Sequence, residues 1–408
     1  MLFTTLLALF DVSALMRHVT QFTEQIFSGL VGCVYVLLAL KNVVDMYTDD
    51  PSVQGRAKAF LGTMITFGAY FTVTFLNDLR GTKRFNPGVR NFLANYRIVI
   101  TLVIWSCVCA AFPLVHLDFL RMSSEGHPTY RDPKTHIPRK WIVNPMGTAR
   151  PFPIWAMIAA AIPALGYSCL HFMEKNVTSI LVNRRSWKLK TPPAYRPLFP
   201  TGICLGHSHV GAGTALPCRR YHLDLLILGV CVYPLCAILG VPYPQGSTVR
   251  SQNYIAAVTV RENGNARVIE QRVSNIIAHA LLLIAIGCAA AFRRVPMAVL
   301  FGLFLFMGVM ALNSNQMFQR IRLWDNWDRL SAPPRFAFVK EMGWKKFHAF
   351  TLVQVACLVM LYLSTKGPVA LAFPIFLILI AVIRKFMGKP LPHLRLWKES
   401  ELELMDDK

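Results

Sequence analysis

Charged residues are scarce in this 408-residue sequence, and acidic residues are the scarcest. Only 16% of the residues are Asp, Glu, Lys or Arg, whereas 54% are hydrophobic, and 43 basic residues stand against 21 acidic ones. A soluble domain carries charge at about a quarter of its positions, so this composition excludes a single soluble core. Because the apolar residues are gathered in long runs, the sequence predicts an all-α polytopic membrane protein.

The apolar runs predict about ten transmembrane helices. In chain order these are Phe22–Leu40, Ala59–Leu76, Ile98–Val115, Pro151–Met173, Leu223–Gly240, the short Tyr254–Val260, Val273–Phe292, Met297–Leu312, Phe347–Leu363 and Ala370–Ile383. Polar connectors separate them, including a basic one at 80–97 with a turn at Pro87-Gly88 and a mixed-charge loop at 319–346. The long polar segment before Pro151 is predicted to be extracellular.

The connector 183–220 contains Lys and Arg but no Asp or Glu. Under the positive-inside rule this connector faces the cytoplasm, and an even number of later spans places the C-terminus there as well. We therefore predict an integral membrane protein with a cytoplasmic C-terminus. Its expected location is the plasma membrane, which the charge pattern itself does not determine.

Several ligand signatures are missing. The basic residues lie between apolar runs rather than on faces interleaved with aromatics, which predicts contact with membrane lipid and no nucleic acid. Most cysteines fall in apolar runs, and the group Cys204, His207, His209 and Cys218 lacks zinc-finger spacing, so we expect no metal. Lone histidines in predicted spans (His171, His279, His348) leave a membrane redox protein as an alternative, but such residues more often bond locally, and we expect no cofactor.

One stretch, Val241–Gln252, interrupts the apolar pattern. Pro242 and Pro244 stop an incoming helix, and Ser247 and Thr248 can cap a new one.

The amides of Ser247, Thr248 and Val249 would then point into the break with the positive end of the helix dipole, and Arg250 would add a fixed cation at membrane depth. Discontinuous helices with charges at this depth form substrate sites in secondary transporters, so the stretch predicts an anion site. The alternative is a re-entrant turn whose Arg250 reaches a lipid headgroup.

Glu174 is the second candidate. The fourth span is followed by apolar residues through Val182, so its helix is predicted to continue and to hold Glu174 inside the membrane. The alternative is that Glu174 pairs with Lys175 or caps a helix end at the membrane surface.

Eight runs in the sequence together resemble the bicarbonate-transporter family, in particular its band 3-like chloride/bicarbonate anion exchangers. They are Thr23–Ser28, Trp141–Gly147, Phe152–Trp155, Ala161–Leu165, Tyr221–Leu226, Thr248–Ser251, Glu270–Val273 and Pro296–Gly308. They occur in family order along nearly the whole chain, which makes the resemblance specific although no single run decides it.

The resemblance implies a 7+7 inverted-repeat transporter fold with a core and a gate domain, dimeric through the gate. The chain resembles the tail of segment four and segments five to fourteen, without the family's N-terminal domain and first membrane segments. Residues 1–116 would hold gate-type segments five to seven, 117–150 an extracellular loop, 151–292 core-type segments eight to eleven with an inserted cytoplasmic loop at 183–220, 293–388 gate-type segments twelve to fourteen, and 389–408 a cytoplasmic tail.

The resemblance also implies a function: exchange of inorganic anions, bicarbonate for chloride, by alternating access, without enzymatic chemistry. Arg250 in Thr-Val-Arg-Ser and Glu174 in Phe-Met-Glu match the exchangers rather than the sodium-coupled members. Lys41 and Lys366 fall next to two external lysines that stilbene inhibitors attack, which makes them candidate inhibitor-reactive lysines. The alternatives are a sodium-coupled bicarbonate cotransporter, a borate exporter of the same family, or a truncated, transport-inactive subunit.

Overall fold

A computed structural model of the chain describes residues 2–10, 20–115, 117–121, 140–144, 153–182, 228–243, 251, 254, 258–262, 265–268, 273–324, 343–366, 373–387, 397 and 401–402. These residues are mostly helical and belong to two compact units. The first unit comprises Met1–Phe27, His127–His279 and Arg320–Lys408, and the second comprises Ser28–Gly126 and Ala280–Gln319.

The described helices and strands follow one another along the chain. They are α1 (Leu2–Leu9), α2 (Gln21–Thr48), α3 (Val53–Asp78), α4 (Pro87–Asn95), α5 (Arg97–Ala110), α6 (Ile154–Ala159), α7 (Ala161–Val182), α8 (Tyr233–Leu239), β1 (Thr259–Glu262), β2 (Asn265–Val268), α9 (Val273–Gly287), α10 (Ala289–Phe292), α11 (Met297–Ser314), α12 (Gln316–Arg322), α13 (Trp344–Ser364) and α14 (Phe373–Met387). A 3-10 turn (Leu79–Gly81) follows α3, and a π-helical turn (Leu228–Val232) precedes α8.

Five helical segments among the described residues are long and apolar enough to cross a membrane. They are Gln21–Thr48, Val53–Gly81, Ile154–Phe172, Met297–Ser314 and Trp344–Ser364, and the bent pair α4 and α5 makes a sixth if it counts as one span. These segments confirm the predicted first, second, fourth, eighth and ninth spans. The other predicted spans fall on shorter helices or partly outside the described residues, so the count of about ten stays a prediction.

The second unit is organised around α3, which packs against α5 and α11. Gly302 on α11 permits this close approach, since a Cβ there would lie 2.4 Å from the backbone oxygen of Thr66. The Thr66 hydroxyl donates to the carbonyl of Ala298 across the interface at 3.2 Å. In a membrane the lipid tails are as apolar as the side chains, so burial of apolar surface does not drive helices together. Small residues that allow close packing, and hydrogen bonds from hydroxyl groups, stabilise the helix pair instead.

The predicted connector at 80–97 is wrong in one respect, because α4 begins within it. Pro87 stands in the first turn of the helix rather than in a turn of the loop, and the Asn86 side chain accepts a hydrogen bond from the Gly88 N–H. Proline suits the first helical position, where its missing N–H costs nothing. The chain then bends by 70° between α4 and α5.

In the first unit, the predicted continuation of the helix of the fourth span is confirmed, because α7 runs through Val182 and contains Glu174. The segment apolar enough to cross a membrane ends at Phe172, so the position of Glu174 inside the membrane stays a prediction. The break between α6 and α7 at Ala160 follows from Pro163, which cannot donate to the carbonyl one turn earlier. Helix α7 packs against α1, α6 and α14.

The predicted short span Tyr254–Val260 is wrong at its end, and here the chain departs from an all-α fold. Thr259 and Val260 belong to β1, which pairs antiparallel with β2 in the register Thr259↔Val268 and Glu262↔Asn265. This register leaves a two-residue connection whose sequence, Asn263-Gly264, is the favoured dipeptide for a tight hairpin. Charged Arg261, Glu262 and Arg267 also make this segment unsuited to a membrane span.

Candidate functional site

One face of α7 carries the polar residues of the candidate site. Tyr167, His171, Glu174 and Thr178 follow one another at intervals of four and three residues, so they line a single side of the helix. His171 and Thr178 are each only 2% exposed, and Glu174 is half-buried. Polar side chains so placed in a membrane helix are costly unless they serve a site or a partner.

Four rings, Tyr167, His171, Tyr233 and Tyr243, form an aromatic cluster beside Glu174. His171 stacks on Tyr167 with ring centroids 6.2 Å apart, and it meets the edge of Tyr233 at 5.5 Å. Tyr243 contacts both tyrosines, at 5.8 Å from Tyr167 and 5.1 Å from Tyr233. Glu174 interacts electrostatically with Tyr233. The cluster thus joins α7 to the segment that contains the predicted helix break.

The predicted stop of the incoming helix is confirmed. Helix α8 ends at Leu239, and Gly240 takes the left-handed conformation with φ of 57°. The N–H groups of Gly240 and Val241 donate back to the carbonyls of Ala237 and Cys236, at 3.2 and 3.0 Å. This pattern closes a helix on a glycine, and the chain that follows to Tyr243 is not helical.

The start of the helix is also shaped by a proline. Pro234 stands in the first turn of α8 and cannot donate to a carbonyl of the preceding turn, which is consistent with the π-helical geometry of Leu228–Val232. At the other end, the Val143 N–H donates to the carbonyl of Ile238 at 2.7 Å. The last turn of α8 is therefore held by a second segment of the chain.

The predicted anion ligands Ser247, Thr248, Val249 and Arg250 lie outside the described residues, as does the candidate zinc group at 204–218. The structure sets Glu174 in interaction with Tyr233 in the first turn of α8, and it joins the break to Tyr167 on the same face of α7 through Tyr243. Whether Glu174 meets Arg250 stays a prediction. Ser251, the next described residue, has helical geometry. The new helix start at Ser247 and Thr248 stays a prediction. Among the described residues, no three His, Cys, Asp or Glu side chains converge on a possible metal position.

Sequence reasoning missed a buried arginine in the first unit. Arg320, which was assigned to the mixed-charge loop at 319–346, lies in α12 and is 1% exposed. Its Nη2 donates to the side-chain oxygens of Gln25 and Gln354, at 2.5 and 2.6 Å, and its guanidinium carbon lies 5.3 Å from the ring centroid of Phe350. The sequence did contain a clue to this contact, because Gln25 and Gln354 lie inside predicted spans and a glutamine there needs a polar partner.

The comparison with known proteins decides the family. A model of the HCO3- transporter integral membrane domain matches residues 1–58, 52–211 and 218–408. The chain belongs to the bicarbonate-transporter family. This finding confirms the resemblance seen in the eight sequence runs, and together with the apolar helices it identifies an integral membrane protein.

Relatives within the bicarbonate-transporter family are anion exchange proteins. The chain is 27% identical over 440 residues to anion exchange protein 3 of Homo sapiens, which covers 97% of the chain and 32% of that protein. It is 27% identical over 430 residues to anion exchange protein 3 of Danio rerio, and this match covers 97% of the chain and 33% of that protein. It is 26% identical over 459 residues to anion exchange protein 2 of Oryctolagus cuniculus, and this match covers 99% of the chain and 34% of that protein. The chain spans about a third of the length of these curated relatives.

The two candidate inhibitor-reactive lysines are both exposed. Lys41 lies on α2 in the second unit, and Lys366 follows α13 in the first, with its Nζ 5.3 Å from the ring centroid of Tyr362. Exposure is necessary for attack by an impermeant reagent but does not show it. Their reactivity stays a prediction.

Proposed function

We propose that this member of the bicarbonate-transporter family is a secondary transporter that exchanges bicarbonate for chloride by alternating access. The observation that carries the proposal is the end of α8 at Gly240, which Tyr243 joins to Tyr167 on the α7 face that also holds Glu174. A helix break packed against a polar helix face that carries a half-buried carboxylate is the arrangement expected of a substrate site in a membrane protein. The names of its relatives, anion exchange proteins 2 and 3, support the same class of cargo.

In this proposal, Arg250 and the amides of Ser247–Val249 bind the anion. A guanidinium offers paired N–H donors that match the two oxygens of bicarbonate, and helix-terminal amides add the positive end of a dipole. Both interactions strengthen where water is excluded. A chloride ion uses the same donors without the paired geometry, so the site can carry either ion.

Glu174 balances the charge of this site. When ionised it offsets part of the Arg250 charge, and when protonated it leaves more net positive charge for a divalent anion. The aromatic cluster fixes the orientation of α7 and the break, since Tyr243 contacts rings from both sides. The break therefore presents its donors to the Glu174 face in one geometry.

Around this site we propose the family architecture. About ten membrane segments would match segments five to fourteen of a 7+7 inverted-repeat fold, with a homodimer formed through gate-type segments, in the plasma membrane with the C-terminus inside. Cysteines introduced at Ser186 and Lys408 should both resist an impermeant thiol reagent applied outside intact cells. Labelling at one of them alone would contradict the number of spans between them.

The transport proposal is tested with proteoliposomes that contain the protein and radioactive chloride. External bicarbonate should accelerate chloride loss, and Arg250→Ser should slow it by about tenfold or more, the effect of losing a charge-assisted bond. Arg84→Ser, which changes an exposed arginine of the second unit, is the matched control and should transport normally. A flux that requires sodium would instead identify a sodium-coupled carrier, and wild-type vesicles without bicarbonate-dependent flux would contradict the proposal.

A further inference from the structure

The predicted cytoplasmic tail at 389–408 contacts the start of α13 in the structure. Trp397 is 5% exposed, and Leu402 is fully buried. The indole N–H of Trp397 donates to the backbone carbonyl of Lys346 at 3.0 Å. The Lys346 ammonium in turn donates to both carboxylate oxygens of Glu401, at 2.7 and 3.1 Å. We call Trp397 and Glu401, which hold the tail to α13, the C-terminal clasp.

The clasp continues a row of contacts that leads to a buried arginine. The ring of Trp397 meets Phe350 of α13 edge-on, with ring centroids 6.4 Å apart. Phe350 is fully buried, and it also contacts the ring of Phe22 at 5.4 Å and the guanidinium of Arg320 at 5.3 Å. A cation over an aromatic ring is stabilised most where water is excluded. The tail therefore touches the same phenyl ring that contacts the Arg320 guanidinium.

The two contacts of the clasp differ in their access to water. The side chains of Lys346 and Glu401 are 39% and 17% exposed, so salt can screen their ion pair. An ion pair with this exposure contributes little to stability. The contact of Trp397 is buried, but it belongs to a short segment. A segment held mainly by one ring and one exposed ion pair opens at a lower free energy than the core of a helix.

We propose that the C-terminal clasp is a releasable device that controls the packing of α12 and α13. While the tail is docked, Trp397 keeps water away from Phe350, and Arg320 keeps its hydrogen bonds in a dry site. When the ion pair between Lys346 and Glu401 breaks, the tail leaves more often. The first turns of α13 then open, and α12 loosens with them because Arg320 loses its dry surroundings.

The composition of the tail favours release over a permanent anchor. Five of the nine residues at 395–403 are charged. Such a segment is well solvated when it is undocked, so leaving the protein exposes little apolar surface besides Trp397 and Leu402. The proposal does not depend on which ion the protein transports. Its failure would therefore leave the transport proposal standing.

The test is hydrogen–deuterium exchange, read by mass spectrometry on the purified protein in a mild detergent. Glu401→Gln keeps the shape of the side chain but removes the ion pair, so amides in the first turns of α13 should exchange about two- to fivefold faster. Trp397→Leu removes the ring and the indole donor, so exchange there should rise about tenfold or more, and exchange in α12 should rise with it. Amides of α11, in the second unit, should not change in either variant.

A matched control and a charge exchange separate the clasp from general effects of mutation. Lys58→Gln removes a comparable ion pair, to Asp118 at 2.9 Å in the second unit, and it should leave exchange in α13 unchanged. Glu401→Lys places like charges together and should expose α13 more than Glu401→Gln does. Lys346→Glu/Glu401→Lys makes the charges opposite again and should restore most of the protection.

Salt distinguishes a releasable clasp from a permanent contact. Raising sodium chloride from about 0.1 M to about 1 M shortens the screening length from about 10 Å to about 3 Å. Wild-type exchange in α13 should then rise toward the value for Glu401→Gln, whereas the variant should not respond. The proposal would be overturned by wild-type exchange that ignores salt, by equal losses in Lys58→Gln, by a charge exchange no better than Glu401→Lys alone, or by unchanged α12 exchange in Trp397→Leu.

Discussion

The buried guanidinium of Arg320 allows a quantitative test of how the first unit is held together. Gln354→Met keeps the length and volume of the side chain but removes the oxygen that accepts from Arg320 at 2.6 Å. Because Arg320 is 1% exposed and Gln354 is fully buried, water cannot replace the lost acceptor. A hydrogen bond to a charged group contributes about 1.5–3 kcal/mol, so the variant should lose about 2 kcal/mol of unfolding free energy.

A second substitution separates the charge from the packing. In Arg320→Met the charge is gone, and the Nε2 of Gln354 still has the side-chain oxygen of Gln25 at 3.4 Å as a partner. The double variant Gln354→Met/Arg320→Met should therefore cost less than the sum of the two single variants, by about 1–2 kcal/mol. Thr351→Val is the control on α13, because its hydroxyl donates within the helix to Phe347 at 3.1 Å and should contribute about 0.5 kcal/mol.

The measurement is equilibrium unfolding in mixed micelles of a mild detergent and sodium dodecyl sulfate, followed by helical circular dichroism. A linear dependence of the unfolding free energy on the denaturing detergent gives each value. Equal losses for Gln354→Met and Thr351→Val, or additive single variants, would show that Arg320 does not depend on these amides.

Three further predictions concern other parts of the chain. Glu174→Gln imitates the protonated carboxyl, so chloride exchange should fall and sulfate flux should lose its pH dependence; an unchanged profile with normal surface expression would remove Glu174 from the site. Gly302→Ala should cost about 1–3 kcal/mol, because its Cβ would lie 2.4 Å from a backbone oxygen of α3, whereas Gly287→Ala, which meets open space, should not. The pKa of Asp50 lies below its ordinary value because the backbone and side chain of Ser52 hydrogen-bond to the carboxylate. The stability that the ionised Asp50 carboxylate adds to the fold is present above the unfolded pKa of about 3.9, and it is lost as pH falls through the folded pKa. The Asp50→Asn variant should therefore have a lower melting temperature than the wild type near neutral pH and the same melting temperature in acid.

Features that depend on local chemistry could be predicted from the sequence. The long apolar runs, the stop before Pro242 and the continuation of α7 past Glu174 all follow from hydrophobicity and proline geometry within one segment. The family followed from eight short runs in order. Each of these conclusions needs information from a single stretch or from order along the chain.

Features that depend on distant partners could not be predicted in the same way. Arg320 looked like a loop residue because nothing near it in sequence reveals that Gln25 and Gln354 accept its hydrogen bonds. The hairpin at Thr259–Val268 was missed for a different reason: Tyr254–Val260 was assigned to a span, and the Asn263-Gly264 turn signal just beyond it was overlooked. The anion ligands at 247–250 lie outside the described residues, so their geometry stays a prediction.

The way α8 ends has a consequence for how a transporter of this kind would move. The stop is encoded twice, by the bonds that close the helix on Gly240 and by the prolines beyond it, so losing either proline should not lengthen α8. Tyr243 then contacts Tyr167 and Tyr233 at once, which ties the break to the helix that carries Glu174. Any movement of α7 therefore has to carry the end of α8 with it, or else break the contacts of Tyr243.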